Sequence, residues 1–207
     1  MRIGLWLLGG LLVGCGVSAP LGTAADGGAG DGGHAGHDGA PPGPDGGAAC
    51  PWGDEIARDA GVGLAAVPHA SSPTADEQKV FSAMNARRTA QPLTWNGCLA
   101  DLARSHSVDM MSQGYFGHGA ATDPTTFMIG DRVAATGLAL TGHADEDLLT
   151  GDFKYYLGSD ITTVVTDWMT DAHALPILGC AEAGVAISSM PYMDTTIVWV
   201  TADFACP

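Results

Sequence analysis

The amino-acid sequence predicts an α+β domain that occupies residues 72–207. Helical patterns with clear start signals fill the chain from Thr74 to Trp168, whereas Val-, Ile- and Trp-rich runs separated by a turn signal fill its end. A strand is also predicted around residues 138–141. Successive helices followed by a hairpin are typical of one α+β domain with a single core.

The first residues are typical of an export signal. Arg2 precedes an apolar run at residues 3–13 that is too short to cross a bilayer as a stable helix. This run ends in LVGC at residues 12–15, which resembles a bacterial lipobox. Residues 1–14 are therefore interpreted as a lipoprotein signal peptide and Cys15 as the lipidated residue. An ordinary secretory signal is the alternative, and both predict a chain that leaves the cytoplasm.

Two segments separate this signal from the domain. Residues 15–49 begin with the anchor cysteine. The residues that follow it are nearly all Gly, Ala, Asp and Pro, so this segment is predicted to form a flexible linker. Gly16 stands where an inner-membrane retention signal has aspartate, which favours the outer membrane or cell surface. Residues 50–71 form a mixed lead-in segment, with a short helix predicted around residues 54–59.

The net charge of −15 excludes nucleic acid as a partner, because phosphates require a basic surface. Anionic lipid headgroups would repel the chain as well. Membrane attachment is therefore expected to come from the lipid anchor at Cys15 alone.

The first two helices have the clearest signals. Thr74 and Glu77 form a capping box for a helix that runs to about Arg88. Asn96 can cap a second helix, in which His106 lies on the apolar stripe. We interpret His106 as a core imidazole bonded to backbone, with a role as a ligand as the alternative.

Two further helices are predicted from apolar spacing. The third follows Pro124, buries Phe127 and Val133, and ends at Gly137. The fourth begins near Ser159. Its predicted buried face consists of Ile161, Val164, Val165 and Trp168.

The end of the chain predicts a β-hairpin and the disulfide pairing. Residues 183–187 and 196–204 are the two strands, and residues 191–194 the turn. In this register Cys180 lies opposite Cys206, which leaves Cys50 to pair with Cys98. An even number of cysteines beyond Cys15 suits two disulfides in an exported protein.

At this point the sequence resembles the CAP superfamily of cysteine-rich secretory, antigen 5 and pathogenesis-related proteins, and in particular its bacterial SCP-like extracellular branch. The resemblance covers nearly everything from Glu77 onward. It lies in the order and spacing of segments rather than in one motif. These segments are NARR at 85–88, PLTW at 92–95, LARSHSVDM at 102–110, GYFGH at 114–118, GDRV at 130–133, WM at 168–169 and the strands at 184–185 and 199–204. The resemblance implies a three-layer α-β-α sandwich.

The resemblance also implies a cleft lined by histidines and acids. His118 matches the family histidine after the second helix, His173 the second histidine, and Glu146 the glutamate of a Gly-Glu-Asn motif. Asp171 matches an additional acid of eukaryotic members. The chain departs from the family at Asp147, where asparagine is expected, and at Ala174, where arginine is usual. The loop from Trp168 to His173 is also one residue shorter than in the common bacterial form.

Two imidazoles with one or two carboxylates can hold a divalent ion such as Zn²⁺ and leave a position open for water. No nucleophile elbow and no His-Glu-x-x-His pair accompanies this set. The sequence therefore favours a lipid-anchored, non-catalytic module that binds a lipid, small-molecule or protein ligand. A metal-assisted hydrolase acting on peptide or cell-envelope material and a structural surface protein with a vestigial cleft are the alternatives.

Overall fold

The computed structural model describes residues 49–59, 61–70, 72–170 and 173–207. Cys15, the linker and Asp171 lie outside these described residues. The strands are β1 (Glu55–Ile56), β2 (Val67–Pro68), β3 (Thr94–Trp95), β4 (His143–Asp152), β5 (Glu182–Tyr192) and β6 (Thr195–Cys206). The helices are α1 (Ala75–Arg87), α2 (Gly97–Gln113), α3 (Ile129–Thr136), α4 (Thr163–Trp168) and α5 (Ala174–Gly179).

A four-stranded sheet in the order β3-β5-β6-β4 forms the middle of three layers. β5 and β6 form the predicted antiparallel hairpin, and β4 continues the sheet antiparallel to β6 as an edge strand. Helix α2 packs on one face of the sheet. On the other face, α1, α4 and α5 bury the main core, which includes Val80, Met84, Val164, Ile177, Val185, Val200 and Phe204. The predicted α-β-α sandwich is confirmed.

The capping signals of the first two helices are confirmed. Thr74 Oγ1 accepts from the Glu77 backbone, and the Glu77 carboxylate accepts from the Thr74 backbone. Asn96 caps α2 by accepting from two backbone amides, and Gly114 ends α2 in the left-handed conformation. Both ends of α2 are therefore fixed, which sets where the loop carrying His118 begins.

Several local predictions are wrong. Residues 54–59 contain the short strand β1 instead of a helix, because β1 pairs with β2. The early strand lies at residues 143–152 instead of 138–141, because residues 143–152 are the ones that pair with β6. Phe127 is exposed rather than buried, at a positive φ of 56° just before α3. The hairpin turn shortens to residues 193–194.

Two disulfides join the predicted cysteines, Cys50 to Cys98 and Cys180 to Cys206. The first ties the lead-in segment to the first turn of α2, and the second ties the end of α5 to the end of β6. Among the described residues, no helix is both long enough and apolar enough to cross a membrane.

Candidate functional site

The candidate site lies along β4, where successive side chains leave opposite faces of the sheet. Glu146 points to the α2 face, opposite Asp203 of β6 in the strand register. Asp147 points to the other face, on the same side as Leu149 of the main core. Both carboxylates are buried. An edge strand thus carries one buried acid on each of its two faces.

His118 reaches the first of these acids. Its Nδ1 lies 2.9 Å from Glu146 Oε2, and the ring is 26% exposed. His173 reaches the second, with Nδ1 3.2 Å from Asp147 Oδ1 and a ring that is 28% exposed. Each of the two histidines therefore has its own carboxylate, Glu146 for His118 and Asp147 for His173.

Arg132 of α3 completes the Glu146 side and was not predicted as a site residue. Its guanidinium is fully buried, donates from Nη1 to the His118 carbonyl over 2.6 Å, and forms an ion pair with Glu146 Oε1 through Nη2. Arg132 could have been recognised from its position in the sequence, because it lies between Ile129 and Val133, which are both buried. A charged residue on a buried helix stripe is rare unless it is paired.

The two carboxylates differ electrostatically. Burial alone would raise the pKa of Glu146, but Arg132, His106 and His118 outweigh it and hold that pKa well below its usual value. Burial raises the pKa of Asp147 to about 7, against the opposing effect of His173. The site therefore pairs one firmly ionised carboxylate with one whose protonated form is favoured by burial.

His106 is a core residue, as predicted. It is fully buried, with Nδ1 3.0 Å from the Gly63 carbonyl and Nε2 3.0 Å from the Gly117 carbonyl. Burial and the Arg132 charge lower its pKa to about 4. A neutral imidazole carries one N–H, so the ring donates to one of these carbonyls and only contacts the other. With both nitrogens facing backbone carbonyls, His106 is a structural element rather than a metal ligand.

The donor set in the cleft suits an ion held by imidazole. A histidine that bonds a carboxylate through Nδ1 uses Nε2 as its ligand atom, and this arrangement is common behind metal sites. The described residues contain two groups of three potential ligands within 4.8 Å of one another: Cys50, His69 and Asp101, and His143, Asp145 and Cys206. Each includes a disulfide cysteine, so neither offers a thiolate, and the cleft set is not one of them. An ion bound to either histidine would have a buried carboxylate behind its ligand, Glu146 behind His118 or Asp147 behind His173.

The three layers define an α-β-α domain whose edge strand carries two buried acids, each bonded to a histidine. Residues 81–204 match the family model described as CAP: Cysteine-rich secretory protein family. The match covers more than half of the chain, so the protein belongs to the CAP family and its domain is of an extracellular type.

Among solved structures, an outer surface protein from Borrelia burgdorferi is similar to this chain. The two share 14% sequence identity and superpose with a TM-score of 0.49 over 64% of this chain and 93% of that one. A comparison with curated proteins found no match.

Proposed function

We propose that this protein is a surface-anchored, non-catalytic binding module whose two-histidine cleft takes a divalent ion such as Zn²⁺ and a hydrophobic or protein ligand. The observation that carries the proposal is that both cleft histidines bond a buried carboxylate through Nδ1. Such a carboxylate fixes the ring orientation and makes the imidazole a better ligand. A bound ion would supply a positive charge and an open position for a ligand oxygen or nitrogen.

The surroundings of the histidines support a hydrophobic or protein ligand. Large apolar side chains are exposed close to each of them in the sequence: Phe116 two residues before His118, and Leu175 and Leu178 after His173. Exposed apolar groups scattered singly are ordinary, but groups that flank ionisable residues are typical of ligand sites.

The same geometry favours binding over hydrolysis. A general base must have an oxygen available to take a proton from water. Both oxygens of Glu146 are engaged, one by His118 and the other by Arg132. This argues against Glu146 as the general base of the hydrolase alternative.

Calorimetric titration with Zn²⁺ tests the proposal. The chain starting at residue 49 is used, because this removes His34 and His37 of the linker. We expect one ion per chain, with binding lost in the His118→Ala/His173→Ala double variant and retained in His143→Ala, which changes a histidine that pairs with neither cleft acid. Equal zinc binding by the wild type and the double variant would show that His118 and His173 are not the zinc ligands. It would favour the alternative of a structural protein with a vestigial cleft.

The proposed location rests on the sequence of the amino terminus and on the extracellular type of the domain. Cys15 is the proposed lipid attachment residue, and acyl chains contribute about 0.8 kcal/mol per buried methylene. Metabolic labelling with radioactive palmitate tests it. We expect a labelled band that Cys15→Ser abolishes, and label that persists in this variant would contradict the anchor.

A further inference from the structure

The lead-in segment, residues 50–70, is docked on α2. Asp101 of α2 is fully buried and accepts from Trp52 Nε1 over 3.3 Å, from the Ala70 amide over 3.1 Å, and from His69. Ser105 Oγ donates to the Ala65 carbonyl over 2.6 Å. The segment also shares an apolar cluster with α2 and α3, formed by Ile56, Leu64, Val67, Leu102, Ile129 and Val133.

The docked segment reaches the loop that carries His118. His106 lies between the two, with ring nitrogens 3.0 Å from the Gly63 carbonyl and 3.0 Å from the Gly117 carbonyl. The neutral ring donates to one of these carbonyls and packs against the other. The lead-in segment therefore contacts, through one imidazole, the residue immediately before His118.

A second contact holds the other side of His118. Gly63, at φ +74°, leaves little room for a side chain: a Cβ there would lie 3.1 Å from the Gly119 carbonyl, 3.1 Å from Tyr115 Oη and 3.2 Å from Ala120 Cα. The backbone of the lead-in segment thus packs directly against the residues that follow His118.

We propose that the lead-in segment is a positioning element for the cleft, and that it acts on His118 through Gly63 and His106. The segment precedes the part of the chain that the family model matches, residues 81–204. It holds the backbone on both sides of His118, and Arg132 holds the His118 carbonyl between them. His118 is therefore held in part by a segment that precedes the residues matched by the family model.

The inference depends on the placement of His118 and not on zinc binding, so its test measures the ring itself. Diethyl pyrocarbonate modifies exposed imidazole nitrogens, and mass spectrometry of the full chain gives the rate at His118 relative to that at His143. The Gly63→Ala variant pushes a methyl group against the His118 loop. Gly53→Ala is the matched control, because Gly53 also lies in the lead-in segment at φ +66° but has nothing within 4 Å of its Cβ position.

We expect Gly63→Ala to change the relative rate at His118 by about fivefold, the factor that corresponds to one ordinary hydrogen bond of about 1 kcal/mol, and Gly53→Ala to leave it unchanged. Both substitutions place a methyl group at a positive φ, so their backbone cost is similar. Equal rates at His118 in the two variants would overturn the proposal, whatever the zinc titration shows.

A second pair tests the bridge. His106→Phe removes both carbonyl contacts at similar volume, whereas Ser105→Ala removes a buried contact of the same segment that does not reach the loop. We expect an altered His118 rate in the first variant alone. The reverse pattern contradicts the positioning role, and if His106→Phe does not fold, the glycine pair decides.

Discussion

Glu146 is engaged on both carboxylate oxygens in a site with almost no exposure. Its partner Arg132 is fully buried, so removal of the glutamate charge would leave a buried guanidinium unpaired. Breaking such a pair from one side costs about 3–5 kcal/mol. Glu146, which the family resemblance places at the cleft, thus acts as the counter-ion of a buried arginine. A Glu146 variant would lose stability as well as any ligand binding, so the two effects could not be separated.

Asp203 lies opposite Glu146 and predicts a pH dependence. Among the described residues no donor bonds either of its buried oxygens. Burial and the Glu146 charge raise the pKa of Asp203 well above its usual value. The folded chain therefore keeps this proton where the unfolded chain releases it, and stability falls as pH rises above about 4. The decrease is at most about 1.4 kcal/mol per pH unit for one group.

The Asp203→Asn variant removes this titration while keeping the shape of the side chain. Relative to the wild type, its free energy of unfolding should increase as pH rises above the ordinary pKa of an aspartate, because only the wild type then loses the stability that its retained proton provides. Urea denaturation at several pH values measures the difference. Parallel pH profiles for the two proteins would show that Asp203 does not carry a proton into the fold.

At the level of secondary structure, the backbone of α2 packs directly against the backbone of β5. A Cβ at Gly184 would lie 1.9 Å from the Ala100 amide nitrogen and 2.4 Å from the Leu99 carbonyl carbon. The chain cannot accommodate a methyl group there without moving α2 off the sheet. Because α2 also carries His106 and leads into the His118 loop, this close approach helps to set the site.

Gly184→Ala should therefore destabilise the fold by at least about 3 kcal/mol, in the range of severe overpacking. Gly130→Ala is the matched control, because Gly130 lies in α3 with nothing within 4 Å of its Cβ position and alanine is the better helix former by about 1 kcal/mol. Thermal unfolding followed by circular dichroism compares the two. Similar melting temperatures would mean that α2 does not pack on Gly184.

The helices that were predicted best have local signals. The caps of α1 and α2 lie within a few residues of the helices that they start, so the sequence alone reveals them. β4 was misplaced because its first half, with His143, Asp145 and two more acids, has the composition of a loop and becomes a strand only through pairing with β6. The contact of His173 with Asp147 could not be predicted either, since it depends on which face of that strand each acid occupies.

For the whole molecule, the predicted boundary at residue 72 leaves out a segment that the structure docks on the domain. Residues 50–70 supply three contacts to the buried Asp101, which also pairs with Arg104 of α2, and half of an apolar cluster. Loss of one buried partner costs about 1–3 kcal/mol, and small domains have a total stability of about 5–15 kcal/mol. The lead-in segment is therefore expected to be part of the folding unit.

Truncation tests this expectation. We compare residues 72–207 carrying Cys98→Ser with residues 49–207 carrying Cys50→Ser and Cys98→Ser, so that neither chain has the first disulfide. The shorter chain should melt at least about 10 °C lower, because the carboxylate of Asp101 loses its donors from the lead-in segment while the helix stays buried. Circular dichroism and urea titration measure the difference. If the two chains melt together, residues 50–70 add nothing to the fold, and the Cys50–Cys98 disulfide would be the only contribution of this segment to stability.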